Sequence, residues 1–152
     1  MGGVSAVDGA GTAVVVVGVA IRRGDRVLAA RRTSPPELAG RWELPGGKPL
    51  PGEDLAAAAE REVAEELGCR VRVDGVLPGE VEVRPGLVLR VVTARLEPPV
   101  GSGVDAGGGA GTEPLPLEHD ALRWLAPDQL GEVDWLEADR PFVAALGRGT
   151  QS

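Results

Sequence analysis

The sequence predicts an α/β domain, an α/β/α sandwich with two helices packed on a mixed β-sheet. Three features predict it. Residues 13–21 form a Val-rich run of strand character. Leu55, Ala59, Val63 and Leu67 recur at helical spacing between Asp54 and Gly68. Further strand-like runs follow that helix, and a second helical segment closes the chain.

The elements follow in order. Residues 1–12 are Gly-rich and polar, a loose tail. Residues 13–21 read as a buried strand, 22–25 as a turn, and Arg26–Arg31 as its hairpin partner. Pro35 and Pro36 begin a loop that runs through Gly40, and residues 42–44 are a short extended piece ending at Pro45, Gly46 and Gly47. Asp54 suits the N-cap of a helix over Leu55–Leu67, and Gly68 its C-terminal stop. Residues 70–76 and 79–83 read as strands and Leu87–Leu96 as a stronger one. Residues 97–116 are dense in Gly and Pro, which predicts a mobile loop. Ala121–Leu125 is a strand, 127–130 one helical turn, and 139–146 a final helix with Pro141 in its first turn. The domain is expected over residues 13–147, with a short tail at 148–152 and no internal repeat.

The chain has 152 residues, enough for one domain with a real core. Its aromatic residues are three Trp and one Phe, so Ala, Val and Leu must fill that core. A net charge of −7 argues against a partner that is a nucleic-acid polymer, which calls for a basic stripe. A free nucleotide remains compatible if a metal and a few Arg or Lys residues neutralise its phosphates. The single cysteine, Cys69, excludes an intrachain disulfide, and with one histidine it cannot build a zinc site. The run over 13–21 is too short to span a bilayer and lacks the charged lead-in and cleavage site of a signal peptide. The expectation is a cytoplasmic monomer or homodimer without a membrane partner.

Residues 46–69 read GGKPLPGEDLAAAAEREVAEELGC. On a helix, Glu62, Glu65 and Glu66 stand at i, i+3 and i+4, so they project from one face within one turn. Carboxylates that close raise each other's pKa unless a cation compensates. Hard divalent cations such as Mg²⁺ or Mn²⁺ meet that need, and Mg²⁺ held by few carboxylates completes its shell with phosphate oxygens. The pattern points to a metal-dependent enzyme acting on a phosphorylated substrate. Taken alone, EREVAEEL would also serve as an ordinary solvated helix face.

The wider spacing decides between the two. Gly47, five residues, Glu53, seven residues, then Arg61, Glu62, Val63, Glu65, Glu66 and Gly68 in the order REVxEExG resembles the Nudix box. Cys69 departs mildly, at a position that prefers a larger aliphatic residue. Residues 31–48 (RRTSPPELAGRWELPGGK), 118–125 and 134–141 are similar to the MutT-type branch, the nucleoside triphosphate diphosphatases, so the resemblance spans about residues 14–146.

That resemblance implies the Nudix fold and a reaction in which water attacks a phosphorus of a nucleoside triphosphate, releasing pyrophosphate and a monophosphate. It implies Mg²⁺ as cofactor, with Mn²⁺ able to substitute. By position, Glu62, Glu66 and the Gly46 carbonyl are direct metal ligands, Glu65 binds directly or through water, and Glu118 completes the site. Without that role Glu118 would be a solvated residue at a strand entrance. The catalytic group is Glu62, Glu66, Glu53 and Arg61, with Glu62 favoured for water activation and Glu53 as the brace of Arg61. Arg32 matches a phosphate-contacting arginine, with plain solvation as its alternative, and Lys48 is a second cation. Glu37, Glu43 and Leu44 are expected to line the nucleoside pocket. Trp42 and Trp124 are expected in the core rather than as stacking platforms, and His119 at the surface.

Asp139 matches the position whose side chain reads the base edge. An ionised carboxylate only accepts hydrogen bonds, which suits the amino group of cytosine or the N–H edge of guanine. An acid here, rather than an amide, resembles the branch acting on dCTP, 5-methyl-dCTP and 8-oxo-dGTP. The same residue would equally serve as N-cap of the last helix. Two other readings stand beside this one. A hydrolase of nucleotide sugars or dinucleotides commonly carries further specificity residues after the box, and none is evident. A non-catalytic nucleotide sensor of the same fold typically loses box carboxylates, and none is lost here.

Overall fold

The computed structural model describes residues 14–97 and 113–149. The expected tail 1–12 and most of the expected mobile loop lie outside the described residues. The strands are β1 (Val14–Arg23), β2 (Arg26–Arg31), β3 (Trp42–Glu43), β4 (Gly46–Gly47), β5 (Val71–Val76), β6 (Val81–Arg84), β7 (Leu87–Leu96) and β8 (Ala121–Leu125). The helices are α1 (Leu55–Leu67) and α2 (Arg140–Gly149), with short 3-10 turns at Pro36–Leu38, Pro127–Glu132 and Glu137–Asp139.

The sheet is mixed, in the order β3-β2-β1-β7-β5, with β4 on β1, β6 on β7 and β8 on β2. Its spine is the parallel pair β1 and β7, in register from Val14 opposite Leu87 to Arg22 opposite Arg95. The other edge of β1 is shared. The β2 hairpin takes its C-terminal end, and Gly46–Gly47 pairs with Val17 and Gly18.

Alternation along β1 sorts the core into two layers, as a strand buried on both faces requires. Val17, Val19 and Ile21 pack with Leu28, Val92 and the α1 residues Ala58, Ala59, Val63 and Leu67. Ala20 faces the other way, into Leu89, Val91, Leu125, Trp42, Trp135, Phe142, Val143 and Leu146. The sheet is thus covered by α1 on one face and by α2 with its preceding turns on the other.

Helix α1 has the predicted limits. Asp54 accepts from Ala57 N–H at 2.8 Å, and Gly68 ends the helix at φ 67°, where a side chain would be strained. The last helix differs from expectation. It starts at Arg140 and runs to Gly149, so residues 148 and 149 are helix rather than tail. Part of the expected loop is tied down. Glu113 pairs with Arg23 at 2.9 Å, and Leu115 and Leu117 donate backbone N–H groups to the carbonyls of Leu67 and Glu66. Those are carbonyls at the C-terminal end of α1 that the helix cannot satisfy itself. This strap brings Glu118 and His119 toward α1.

Sequence periodicity did not show a second tie. Residues 134–136 run beside β3, with Trp42 N–H on the Asp134 carbonyl at 3.0 Å and Leu136 N–H on the Trp42 carbonyl at 2.8 Å. This contact carries Leu136, Ala138 and Asp139 to the Glu43–Leu44 segment.

Candidate active site

Glycine makes the carboxylate side of the site possible. Gly46 lies against β1 so closely that a Cβ there would overlap the Val17 carbonyl, and a Cβ on Gly47 would run into the Glu62 carboxylate. The helix therefore rests its carboxylates on bare backbone. Across this junction Arg61 is the clamp. Its Nε and Nη2 donate to the two oxygens of Glu53 at 2.9 and 3.0 Å, and Nη2 also reaches the Lys48 carbonyl at 3.0 Å. Glu53 in turn accepts from Leu50 N–H at 2.8 Å. Those bonds hold Glu53 below the usual carboxylate range and raise Arg61 further. Glu53 and Arg61 form the brace that the resemblance implied.

Glu66 is the outstanding group. It is buried at 9% exposure, and its Oε1 has no hydrogen-bond partner. Burial, with Glu43 and Glu62 nearby, pushes its pKa up to about 8, while a backbone hydrogen bond from Gly46 opposes the shift. Glu62 lies within hydrogen-bonding range of it. Glu65 is more than half exposed and turns toward Arg61 at 3.3 Å. Among the described residues, no three His, Cys, Asp or Glu side chains are already gathered into a metal cage. The donor set nevertheless fits a hard cation. Two facing carboxyls, one with a buried oxygen lacking a partner, are relieved by a divalent ion, and Mg²⁺ takes few protein ligands when phosphates supply the rest.

A cavity of about 510 Å³ is lined by Glu66 and Gly46 and also by Asp139 and Leu44. Its wall carries Arg32, Glu43, Lys48 and Glu118 from the predicted set, and Gly47 beside them. Glu37 does not line it. That side chain is exposed on the 3-10 turn Pro36–Leu38, and Leu38 faces the cavity instead. Glu53, Arg61, Glu62 and Glu65 do not line it, Glu62 lying beside Glu66, and neither Trp42 nor Trp124 lines it. Trp42 is buried, while Trp124 is half-buried under the Arg23 guanidinium, 4.3 Å from the ring centre.

Two predicted residues differ in character. Asp139 does not cap α2 through the bond it makes. Its Oδ2 accepts from Leu44 N–H at 2.8 Å, locking the C-terminal segment to the strand that leads into Gly46. Burial drives its pKa up to about 7, against the Leu44 bond, with Glu43 adding to the rise. The raised pKa favours the protonated acid, which has a donor that a simple carboxylate lacks. His119 is not at the surface. Its side chain is 5% exposed and lines the cavity, with Nε2 at 2.9 Å from Glu43 Oε2.

The cavity also contains residues that the sequence reading missed. Leu87 and Leu89 line it, a pair that alternation along β7 would have found, as do Val83 and Arg84 of the hairpin before it. Nothing local marks a buried histidine.

Comparison with known proteins agrees with this arrangement. The NUDIX domain model matches residues 12–146. The chain is 42% identical over 137 residues to "Putative 8-oxo-dGTP diphosphatase 2" of Mycobacterium tuberculosis, covering 88% of each chain. It is 28% identical over 133 residues to the CTP pyrophosphohydrolase of Escherichia coli, covering 88% of this chain and 90% of that one. The crystal structure of the MutT NUDIX hydrolase from Burkholderia pseudomallei superposes with a TM-score of 0.62 at 31% identity, covering 87% of this chain and 96% of that one.

Proposed function

This chain belongs to the NUDIX family, as a Nudix hydrolase of the MutT type acting on a nucleotide, and we propose that it is a Mg²⁺-dependent nucleoside triphosphate diphosphatase. It releases pyrophosphate and a nucleoside monophosphate, with 8-oxo-dGTP or the cytosine nucleotides dCTP and 5-methyl-dCTP as substrates. The observation that carries this reading is the cavity itself. Its lining carries Glu66, with Glu62 beside that carboxyl, together with Asp139 and the two cations Arg32 and Lys48. A triphosphate laid along it reaches the carboxylates with its phosphates and Asp139 with its base. The names of the relatives from M. tuberculosis and E. coli support both base classes.

Glu62, Glu66 and the Gly46 carbonyl would hold the cation, with Glu118 and Glu65 reaching it directly or through water. When bound, the ion supplies charge neutralisation of the phosphates and activation of water. The chain does the rest. Arg61 and Glu53 hold the Lys48 loop on α1 so that the carboxylates keep their aim. Arg32 and Lys48 offset phosphate charge, and Glu62 takes the proton from the attacking water. Leu44 and Asp139 close the base end.

The test is a substrate panel with Mg²⁺: 8-oxo-dGTP, dCTP, 5-methyl-dCTP, dGTP, ADP-ribose and a dinucleoside polyphosphate. We expect pyrophosphate and a monophosphate from a triphosphate in the panel. Turnover confined to ADP-ribose or the dinucleotide would overturn the substrate class. Gly47→Ala offers an independent check. The added methyl displaces Glu62, so we expect kcat to fall about 10- to 100-fold with the far-UV spectrum unchanged. Unaltered kcat would mean that the position of Glu62 is immaterial.

A further inference from the structure

His119, Glu43 and Arg32 come from three separate segments and form one hydrogen-bonded chain along the cavity wall. His119 Nε2 lies 2.9 Å from Glu43 Oε2, Glu43 Oε1 accepts from Arg32 Nη1 at 2.8 Å, and Arg32 Nε donates to the Ser34 carbonyl at 2.9 Å. Exposure rises along it, from 5% at His119 to 14% at Glu43 and 29% at Arg32. The backbone on both sides of His119 is anchored, by Leu117 N–H on the Glu66 carbonyl and Asp120 N–H on the Arg31 carbonyl. The other ring nitrogen, Nδ1, is buried without a partner, so the bond to Glu43 is what orients the imidazole.

We propose that His119 is a positioning residue that acts through Glu43 to hold the Arg32 guanidinium ready for the substrate's phosphates, a role that rests on the triphosphate reading above. A nearly buried carboxylate needs a donor on each oxygen. Arg32 serves one and His119 the other. Without His119, Glu43 keeps one oxygen unpaired and can satisfy it by taking both arms of the Arg32 fork. That bidentate pairing would use Arg32 Nη2, which has no partner among the described residues and is the group left for a phosphate oxygen. His119 therefore keeps the Glu43–Arg32 pair single-armed.

The test compares His119→Ala, His119→Asn and His119→Gln in the full chain. Asn fills the site but is too short to reach Glu43, and it carries the test if Ala does not fold. Gln restores a donor near the Nε2 position. The first readout is the Arg32 Nε–H NMR signal in substrate-free protein, assigned by its loss in Arg32→Lys. We expect it to shift and exchange faster with Ala or Asn and to return with Gln. The second is kinetic: KM for the preferred triphosphate rises about tenfold with Ala or Asn, kcat stays within about threefold, and Gln recovers KM. In an Arg32→Ala background the His119 changes add nothing further to KM. An unchanged Arg32 signal, additive KM effects, or Gln behaving like Asn would overturn the proposal. A wild-type protein that hydrolyses no triphosphate sinks the proposed function instead, while the Arg32 signal still decides the His119–Glu43–Arg32 chain.

Discussion

Glu66→Gln and Glu62→Gln should each lower kcat by about 10²-fold or more in saturating Mg²⁺, and EDTA should abolish turnover by the native protein. The amide keeps the size of the side chain and removes the charge that the cation needs. Glu66 also permits a stability test with no substrate present. Its folded pKa is raised from 4.5 to about 8, so the stability linked to its proton is fully present below about 4.5 and lost as pH rises through about 8. Gln carries no such dependence. In metal-free protein at pH 9, Glu66→Gln should therefore melt higher than the native chain, because a buried carboxylate no longer faces Glu43 and Glu62. Kinetics and thermal melts on the same preparations check both halves. Near-native turnover in both variants would mean that EREVAEEL is only a solvated face.

Asp139→Ala should cost about 1–3 kcal/mol of stability, because it strands the Leu44 N–H without its acceptor. If Asp139 also reads the base, kcat/KM for the preferred substrate falls roughly 10- to 150-fold and the ranking of bases flattens. Asp139→Asn separates the two roles. Its amide oxygen still accepts from Leu44, and no buried acid remains. The native Asp139 pKa is raised from 3.8 to about 7, so its contribution is complete below 3.8 and disappears as pH climbs through 7. The native protein should lose on the order of 4 kcal/mol across that window from this group, and Asp139→Asn should not. With a fixed donor at the base edge, preference should move toward 8-oxo-dGTP at the expense of cytosine substrates. Parallel stability curves for native and Asn proteins from pH 4 to 8 would refute the buried acid. A lower melting temperature in Asp139→Ala with an unchanged base ranking would leave Asp139 as a structural lock only.

What the amino-acid order determined by itself is local. The limits of α1 follow from a helical stripe between an N-capping Asp54 and a left-handed Gly68, and both signals act within one turn. The β1 and β7 strands follow from continuous β-branched and aliphatic runs. The Arg61–Glu53 brace spans only eight residues, so the motif's spacing contains it. Tertiary structure decided whatever depends on chain distant in sequence. His119 looks solvated because its neighbours Glu118 and Asp120 are charged, yet its burial comes from a strap across the end of α1 and from Glu43, 76 residues away. Asp139 looks like a helix cap because it precedes Arg140, but Leu44, 95 residues away, takes its side chain and burial changes its ionisation. Glu37 looks equivalent to Glu43, and only the turn at Pro36–Leu38 directs it to solvent. Hydrogen-bonding capacity belongs to a residue, but its burial, partner and proton affinity belong to the surfaces that long-range pairing brings against it.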